Sequence, residues 1–367
     1  SLQNIAGING GQLGNRNKVI NGAMICSQRA TQVTGSTGAG YKTVDRFRIS
    51  HTSLGTFTID QDTNAPNGFS NSLKLSCTTA DASPAASDQL VIQHRIEAQN
   101  LQDLAYGTSA AKKLVLSFYV KSNKTGNASV NVLQSDNSSK MVGFQYTISA
   151  ADTWERKTIS IPADTSGVIN NDNGYGLQLE WFLNSGSNFT SGSHQATYTA
   201  LDNTNRNVSN LGIGGSTSDN FAITGVQLEV DQTGSGVATD FEHRSFAQEL
   251  ALCQRYYFNI KGNDDDFAGC SGYAVWHDVQ WFQILYPVPM RSQPTYTGTS
   301  TAARFYSHNV SNDFNLNQLV TNINTADTSS FKSMRLINNG TAGTSEDGLG
   351  GELQFQATGT MEFSSEL

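Results

Sequence analysis

Charge is scarce in this chain of 367 residues: Asp, Glu, Lys and Arg fill only 15% of positions, and their balance is acidic, with a formal net charge of −8. Binding to a phosphate backbone needs clustered Lys and Arg, so nucleic acid is not an expected partner. The same balance disfavours anionic membrane surfaces, and no apolar run approaches the ~20 residues of a membrane-crossing helix. The opening SLQNIAGINGG lacks the basic and apolar regions of a secretion signal. The four cysteines, Cys26, Cys77, Cys253 and Cys270, include no pair at metal-ligand spacing. Cys77 falls in the apolar phase of LKLSC and Cys253 on an apolar helical face, so they read as buried free thiols suited to synthesis in a cytoplasm.

Catalytic patterns are missing too. There is no GxSxG elbow, HExxH, Walker loop or GxGxxG. The six histidines, His51, His94, His194, His243, His277 and His308, are dispersed. His94 is in phase with Leu90 and Ile92 and reads as a hydrogen-bonded core histidine. Asp264, Asp265 and Asp266 lack the alternating spacing of a calcium loop and read as a solvated turn, as does NNDNG at 170–174. Glu180 and Glu229 are strand-borne, but nothing in the sequence pairs them at the separation glycoside hydrolysis needs. The expectation is a protein without enzymatic activity, catalytic residue, metal or cofactor.

What is present is β-strand pattern. In KLVLSFYVK, Leu114, Leu116, Phe118 and Val120 share one face, with Val115, Ser117 and Tyr119 opposite. In LQLEWFL, Leu177, Leu179, Trp181 and Leu183 point inward and Gln178 and Glu180 outward. LKLSC (Leu73 to Cys77) and LVIQHRI (Leu90 to Ile96) alternate alike, and SNKTGN and NNDNG supply turns. A short helix is expected at Asn100 to Ala105, capped by Asn100. Length suggests about two or three domains. The fold class is all-β, built on an antiparallel sandwich.

The segment from Phe221 to Phe258, FAITGVQLEVDQTGSGVATDFEHRSFAQELALCQRYYF, says most about organisation. Phe221 and Ile223 share a face, while Val226, Leu228 and Val230 continue one residue out of phase, which places a bulge at Gly225. Ser245 then opens a helix with Gln248 three residues on, a capping-box spacing. Phe246, Leu250, Cys253 and Tyr257 fall on one helical face.

GVQLEV followed by ATDFEHRSFAQELALCQRYYF resembles the end of the jelly-roll module in tail-fibre and receptor-binding proteins of tailed bacteriophages. NKVINGAMICSQRAT, YKTVDRFRI, HRIEAQNLQDLAYGTSAAKKLVLSFYVKS, TWERKTISIPADTSG and NDNGYGLQLEW carry the same resemblance. Together they run from about Asn17 to Phe258 in the family's order. The resemblance implies a trimeric virion structural protein, assembled in the host cytoplasm, and does not supply a ligand. The expected function is a tail fibre attaching the particle to a host-surface polysaccharide; the alternatives are a purely structural head-surface fibre or decoration protein, and a polysaccharide depolymerase. Residues 1–18 are then expected to be a leader docking on a neighbouring subunit or another tail or baseplate protein. Residues 19–244 form the jelly roll, 245–258 a connecting helix, and 259–367 a small β-sandwich tip.

The C-terminal part is distinguished by GYAVWHDVQWFQILYPVPM (Gly272 to Met290), apolar on both faces if read as one strand. Pro287, Pro289 and Pro294 then end regular pairing. Sugars present C–H faces to aromatic rings and hydroxyls to amides, so the glycan-binding candidates here are Trp276, His277, Trp281, Tyr296, Tyr306 and His308. Burying a Trp removes ~150–250 Å² from water, which on a strand favours a place in the core over one at a ligand.

Overall fold

Alternating apolar and polar residues shape the first part of the chain into strands. These are β1 (Gln32–Ser36), β2 (Gly40–Tyr41), β3 (Phe47–Thr52), β4 (Thr56–Asp62), β5 (Ser72–Thr79), β6 (Gln89–Glu97), β7 (Leu114–Ser122), β8 (Gly126–Gln134), β9 (Lys140–Ile148), β10 (Glu155–Ile161), β11 (Tyr175–Ser185), β12 (Thr199–Ala200) and β13 (Asn220–Val230). The computed structural model describes residues 14–136, 139–263, 267–276, 279–298, 303–306, 314–315, 319–320, 333–338, 350–355 and 359–367.

The strands build two antiparallel sheets, ordered β1-β4-β5-β13-β7-β10 and β12-β9-β8-β11-β6-β3-β2. Neighbours in each sheet are mostly distant in sequence, the mark of a jelly-roll sandwich. One apolar cluster fills the space between the sheets. Leu116, Phe118 and Val120 of β7 and Phe221, Ile223 and Leu228 of β13 pack in it with Leu177, Leu179 and Trp181 of β11. Phe118 meets Trp181 and Tyr146 edge-on, at ring distances of 5.6 and 5.3 Å.

The phase break at Gly225 is a bulge. The β13–β7 register shifts between Thr224 and Gln227, and Gly225 takes a φ of +61°. The extra residue returns Val226 to the core side, so Ile223 and Val226 are both fully buried. His94 is a core residue, 1% exposed, whose Nε2 accepts from the Ile20 amide at 3.4 Å.

Three local readings need correction. The helix expected at Asn100 to Ala105 is a 3-10 segment, Ala98–Leu104, preceded by Glu97, whose side chain makes no capping bond. Ala98, Leu101 and Leu104, three apart, are its buried residues, and that threefold spacing suits a 3-10 turn. Gln178 and Glu180 do face away from the core, yet both are buried. Asn17 and Lys18, expected in the leader, lie against β13. The Asn17 Nδ2 donates to the Val226 carbonyl at 3.1 Å and the Lys18 amide to the Leu228 carbonyl at 2.8 Å.

The helix α1 (Phe246–Gln254) follows. Its capping box is formed: the Ser245 amide donates to Gln248 Oε1 at 3.0 Å, and the Gln248 amide to Ser245 Oγ at 3.4 Å. The expected apolar face is formed only in part, at Cys253. Phe246 is 58% exposed, Tyr257 belongs to the next strand, and the buried side of the helix carries Glu249 and Cys253. Glu249 Oε1 accepts from the Asn21 amide and from Arg244, so a polar contact replaces the apolar one.

The chain divides within this helix into two compact units, Ser1–Glu249 with Leu367, and Leu250–Glu366. The second contains β14 (Tyr257–Gly262), β15 (Phe267–Trp276), β16 (Val279–Leu285), β17 (Thr295–Gly298), β18 (Ala303–Tyr306), β19 (Phe314–Asn315), β20 (Leu319–Val320), β21 (Ser333–Asn338), β22 (Gly350–Phe355) and β23 (Gly359–Ser364). Its sheets run β14-β23-β17 and β19-β18-β22-β15-β16-β21-β20. The stretch read as one doubly apolar strand is an antiparallel pair, β15 with β16, in which Tyr273 sits opposite Trp281. Phe363 anchors the smaller sheet against Phe258, Tyr286 and Tyr296, with ring distances of 5.7, 5.7 and 5.4 Å.

Candidate functional site

The second sheet of the jelly roll turns a polar face away from the core, and its register sets that face out in rows. Arg48 on β3 pairs with Gln93 on β6, Gln93 with Glu180 on β11, and Glu180 with Asn131 on β8. Next to this row, Arg95 on β6 pairs with Gln178 on β11. Each residue alternates with core neighbours, so the same period that buries Ile92, Ile96, Leu179 and Trp181 presents these polar groups on the other side.

Glu180 is the centre of a branched hydrogen-bond system. Its Oε1 accepts from Gln93 Nε2 at 3.0 Å and from Gln178 Nε2 at 2.6 Å. With their N–H groups turned inward, the two glutamines turn their carbonyl oxygens outward. Gln93 Oε1 accepts from Arg48 Nη1 at 2.7 Å, and Gln178 Oε1 from Arg95 Nε at 2.6 Å. One buried carboxylate therefore orients two guanidinium groups through two amides.

A third arginine closes the system from above. Arg206 donates to Glu180 through Nη2 at 2.6 Å and Nε at 3.1 Å. Its guanidinium lies 5.1 Å from the Phe182 ring centre and 5.8 Å from that of Phe189. The segment bearing it is fastened to the sheet: Asn131 Nδ2 donates to the Arg206 carbonyl at 2.7 Å, and Ser129 Oγ to the Ser209 carbonyl at 3.1 Å. Glu180 is wholly excluded from solvent as a result.

Beyond this cover the sheet face stays open on β2, β3, β6 and the start of β11. Arg48, Arg95, Tyr41 and Tyr175 are each half-buried there. The Arg95 guanidinium stands 4.8 Å over the Tyr175 ring, and that of Arg29 5.3 Å from the Tyr41 ring. Arg95 Nη1 also donates to the carbonyl oxygen of Leu367 at 2.5 Å, and Tyr41 Oη to the same oxygen at 3.2 Å. Burial, then the Arg95 charge, lowers the Arg48 pKa from its ordinary value, with Tyr41 opposing; an arginine stays charged regardless. At the other end of β11, Asn184 and Ser185 line an open cleft of about 670 Å³ with Asp81, Lys124, Asn210 and Ser216.

The residues expected from sequence lie elsewhere. Trp276 ends β15, Trp281 lies in β16 and Tyr306 ends β18, all in the larger sheet of the second unit. Tyr296 is in the smaller sheet, half-buried against Phe363. His277 and His308 lie outside the described residues, as do Asp264, Asp265 and Asp266. Glu180 and Glu229 are in different sheets, and both are engaged. Glu229 accepts from the Thr239 amide at 2.8 Å and from Thr239 Oγ1 at 2.7 Å. The arginine system was not read from sequence, although DRFRIS and IQHRIE do place Arg48 and Arg95 in the outward phase of apolar strands.

No family model and no curated protein matches the sequence. Solved structures do. The enzymatically active domain of tailspike protein 4 from bacteriophage CBA120 is similar at 13% identity and a TM-score of 0.31, over 59% of this chain and 21% of that one. The family 11 carbohydrate-binding module of a Clostridium thermocellum cellulosomal cellulase is similar at 11% identity and a TM-score of 0.28, over 53% and 96%. The N-terminal cellulose-binding domain of Cellulomonas fimi β-1,4-glucanase C is similar at 10% identity and a TM-score of 0.27, over 56% and 98%. At these scores the likenesses assign neither a ligand nor an activity.

Proposed function

We propose that this chain is a bacteriophage fibre protein that attaches the particle to a host-surface glycan through the open polar face of its jelly roll. The observation carrying this reading is the Arg48–Gln93–Glu180–Gln178–Arg95 system, in which buried polar side chains hold two half-buried guanidinium groups in fixed directions. Guanidinium groups offer several N–H donors in a rigid plane and suit the closely spaced hydroxyls of a sugar ring. Fixing them beforehand lowers the ordering cost of binding. The resemblance to phage tail-fibre proteins covers this same unit and supplies the virion setting.

Glu180 and Glu229 hold protein groups, which suits binding without turnover. A shallow sugar site of ~1 mM is worth only about −4 kcal/mol. Repetition on one particle raises avidity by ~10²–10⁴, and this is the reason for proposing a homotrimer, with the leader docked on another virion protein.

A glycan array probed with the protein, followed by titration of Arg48→Gln and Arg95→Gln variants, tests the reading. Saccharide binding that both substitutions weaken is the expected result. Binding indifferent to both, or release of reducing ends from host polysaccharide, would overturn it. Labelled antibody on intact particles should mark a fibre.

A further inference from the structure

The open end of the sheet carries Arg48 and Arg95 on neighbouring strands, although the chain as a whole has a net charge of −8. Arg48 and Arg95 sit on adjacent strands, two residues out of register, which puts their backbones roughly 8 Å apart. Among the described residues, no Asp or Glu side chain lies within ion-pair distance of either. Glu180, the carboxylate behind them, is reached only through the two glutamines, and Arg206 already matches its charge. Two neighbouring cations thus share this end of the face without an Asp or Glu side chain in contact, and Arg95 Nη1 donates to an oxygen of Leu367.

We infer that this end of the face recognises the carboxylate of an acidic sugar, an inference that rests on the glycan-binding reading above. An oxygen acceptor already occupies the place such a group would take: the Leu367 carbonyl oxygen lies between Arg95 Nη1 and Tyr41 Oη. A carboxylate brings two oxygens in one plane, which matches the guanidinium fork, and a negative charge, which relieves the repulsion between Arg48 and Arg95. Arg48 gives Nη1 to Gln93, and Arg95 gives Nε to Gln178. These bonds use one nitrogen of each guanidinium and leave further N–H donors on both. A neutral sugar can accept these donors but brings no charge to set against the two guanidinium groups. The specificity is therefore for acidic over neutral residues.

The test is calorimetric titration of the full chain with oligogalacturonate and oligoglucuronate, their carboxyl-reduced counterparts, and a sulfated dextran oligomer. The acidic oligomers should bind, and carboxyl reduction should weaken binding by about 10-fold or more. Affinity should fall between about 50 and 500 mM salt. Arg95→Gln should reproduce the loss, and Arg48→Lys, which keeps charge but not the fork, should lose part of it. The reduced-oligomer comparison uses the unmodified protein, so a variant that fails to fold does not remove the test. Equal binding of reduced and acidic oligomers overturns the inference and leaves the glycan reading standing. Binding of the sulfated oligomer alone overturns the carboxylate assignment, and absence of binding to all uronates at roughly 10 mM does the same. If array glycans also fail to depend on Arg48 and Arg95, the wider reading falls with it.

Discussion

Arg206 holds Glu180 by two of its three guanidinium nitrogens, Nη2 to Oε1 at 2.6 Å and Nε to Oε2 at 3.1 Å, while the carboxylate is fully shielded from water. This contact joins two jobs. It ties the segment around the 3-10 turn Asn203–Asn205 to the sheet, and it lets a buried charge direct Gln93 and Gln178. A buried ion pair is weak as a source of net stability, because taking both charges out of water opposes their attraction. Its use here is directional.

Arg206→Met should destabilise the protein by about 3–5 kcal/mol, because it leaves Glu180 buried without its cation. The double variant Glu180→Leu with Arg206→Met should recover most of that loss, since no charge then remains to desolvate. Urea unfolding of both measures the difference. A double variant as unstable as the single one would show that the pair stabilises the fold outright.

Gly225→Ala tests the bulge. At a φ of +61° an alanine is strained, and its Cβ would stand 2.8 Å from Phe69 Cζ and 2.9 Å from Tyr119 Cδ2. A loss of about 1–3 kcal/mol is expected in thermal or chemical unfolding. An unchanged stability would mean that β13 keeps its two phases by some other device.

Acid should weaken the fold earlier than carboxylates alone would. Burial, with the Arg46 and Arg244 charges, holds the His94 pKa well below its ordinary value. Burial lowers those of His51 and His194 in the same direction. The unfolded chain then takes up protons that the folded chain refuses. Stability is therefore complete above the unfolded histidine pKa of ~6.5 and declines below it, by up to about 1.4 kcal/mol per pH unit for His94 and by less for the partly solvated His194 and the less shifted His51. Unfolding free energies measured from about pH 7.5 to 5 should show this slope, and His94→Phe should reduce it. A slope identical in the variant would remove His94 as a source.

Cys26, Cys77 and Cys253 are all buried. Burial, then the Asp219 charge, also raises the Cys77 pKa, so little thiolate forms there. Mass-tag labelling with a thiol reagent should modify these three only as the protein unfolds, with rates that follow denaturant. Fast labelling of any of them in the native protein would place it in an opening segment.

The framework was readable wherever a side-chain period ran without interruption. β7 and β11 announce their core faces by strict alternation, β13 announces its bulge by a phase change at a glycine, and Ser245 and Gln248 announce the start of α1. Each signal is local, set by backbone geometry and solvent exposure of neighbouring residues. The reading of α1 failed at Phe246 because a nine-residue helix was extended past its end into β14, and because Glu249 supplies a polar inner contact.

The arrangement of Arg48, Gln93, Arg95, Gln178, Glu180 and Arg206 could not be read in that way. Alternation alone decided that the strand residues among them would face away from Trp181 and Ile92. Which strands lie side by side was settled by tertiary pairing, in the order β8-β11-β6-β3. Only that pairing set residues from three separate stretches around one carboxylate and brought Arg206 over it. Periodicity determines the face a side chain takes, because it is a property of one strand; the company it keeps depends on long-range register, which no single strand carries.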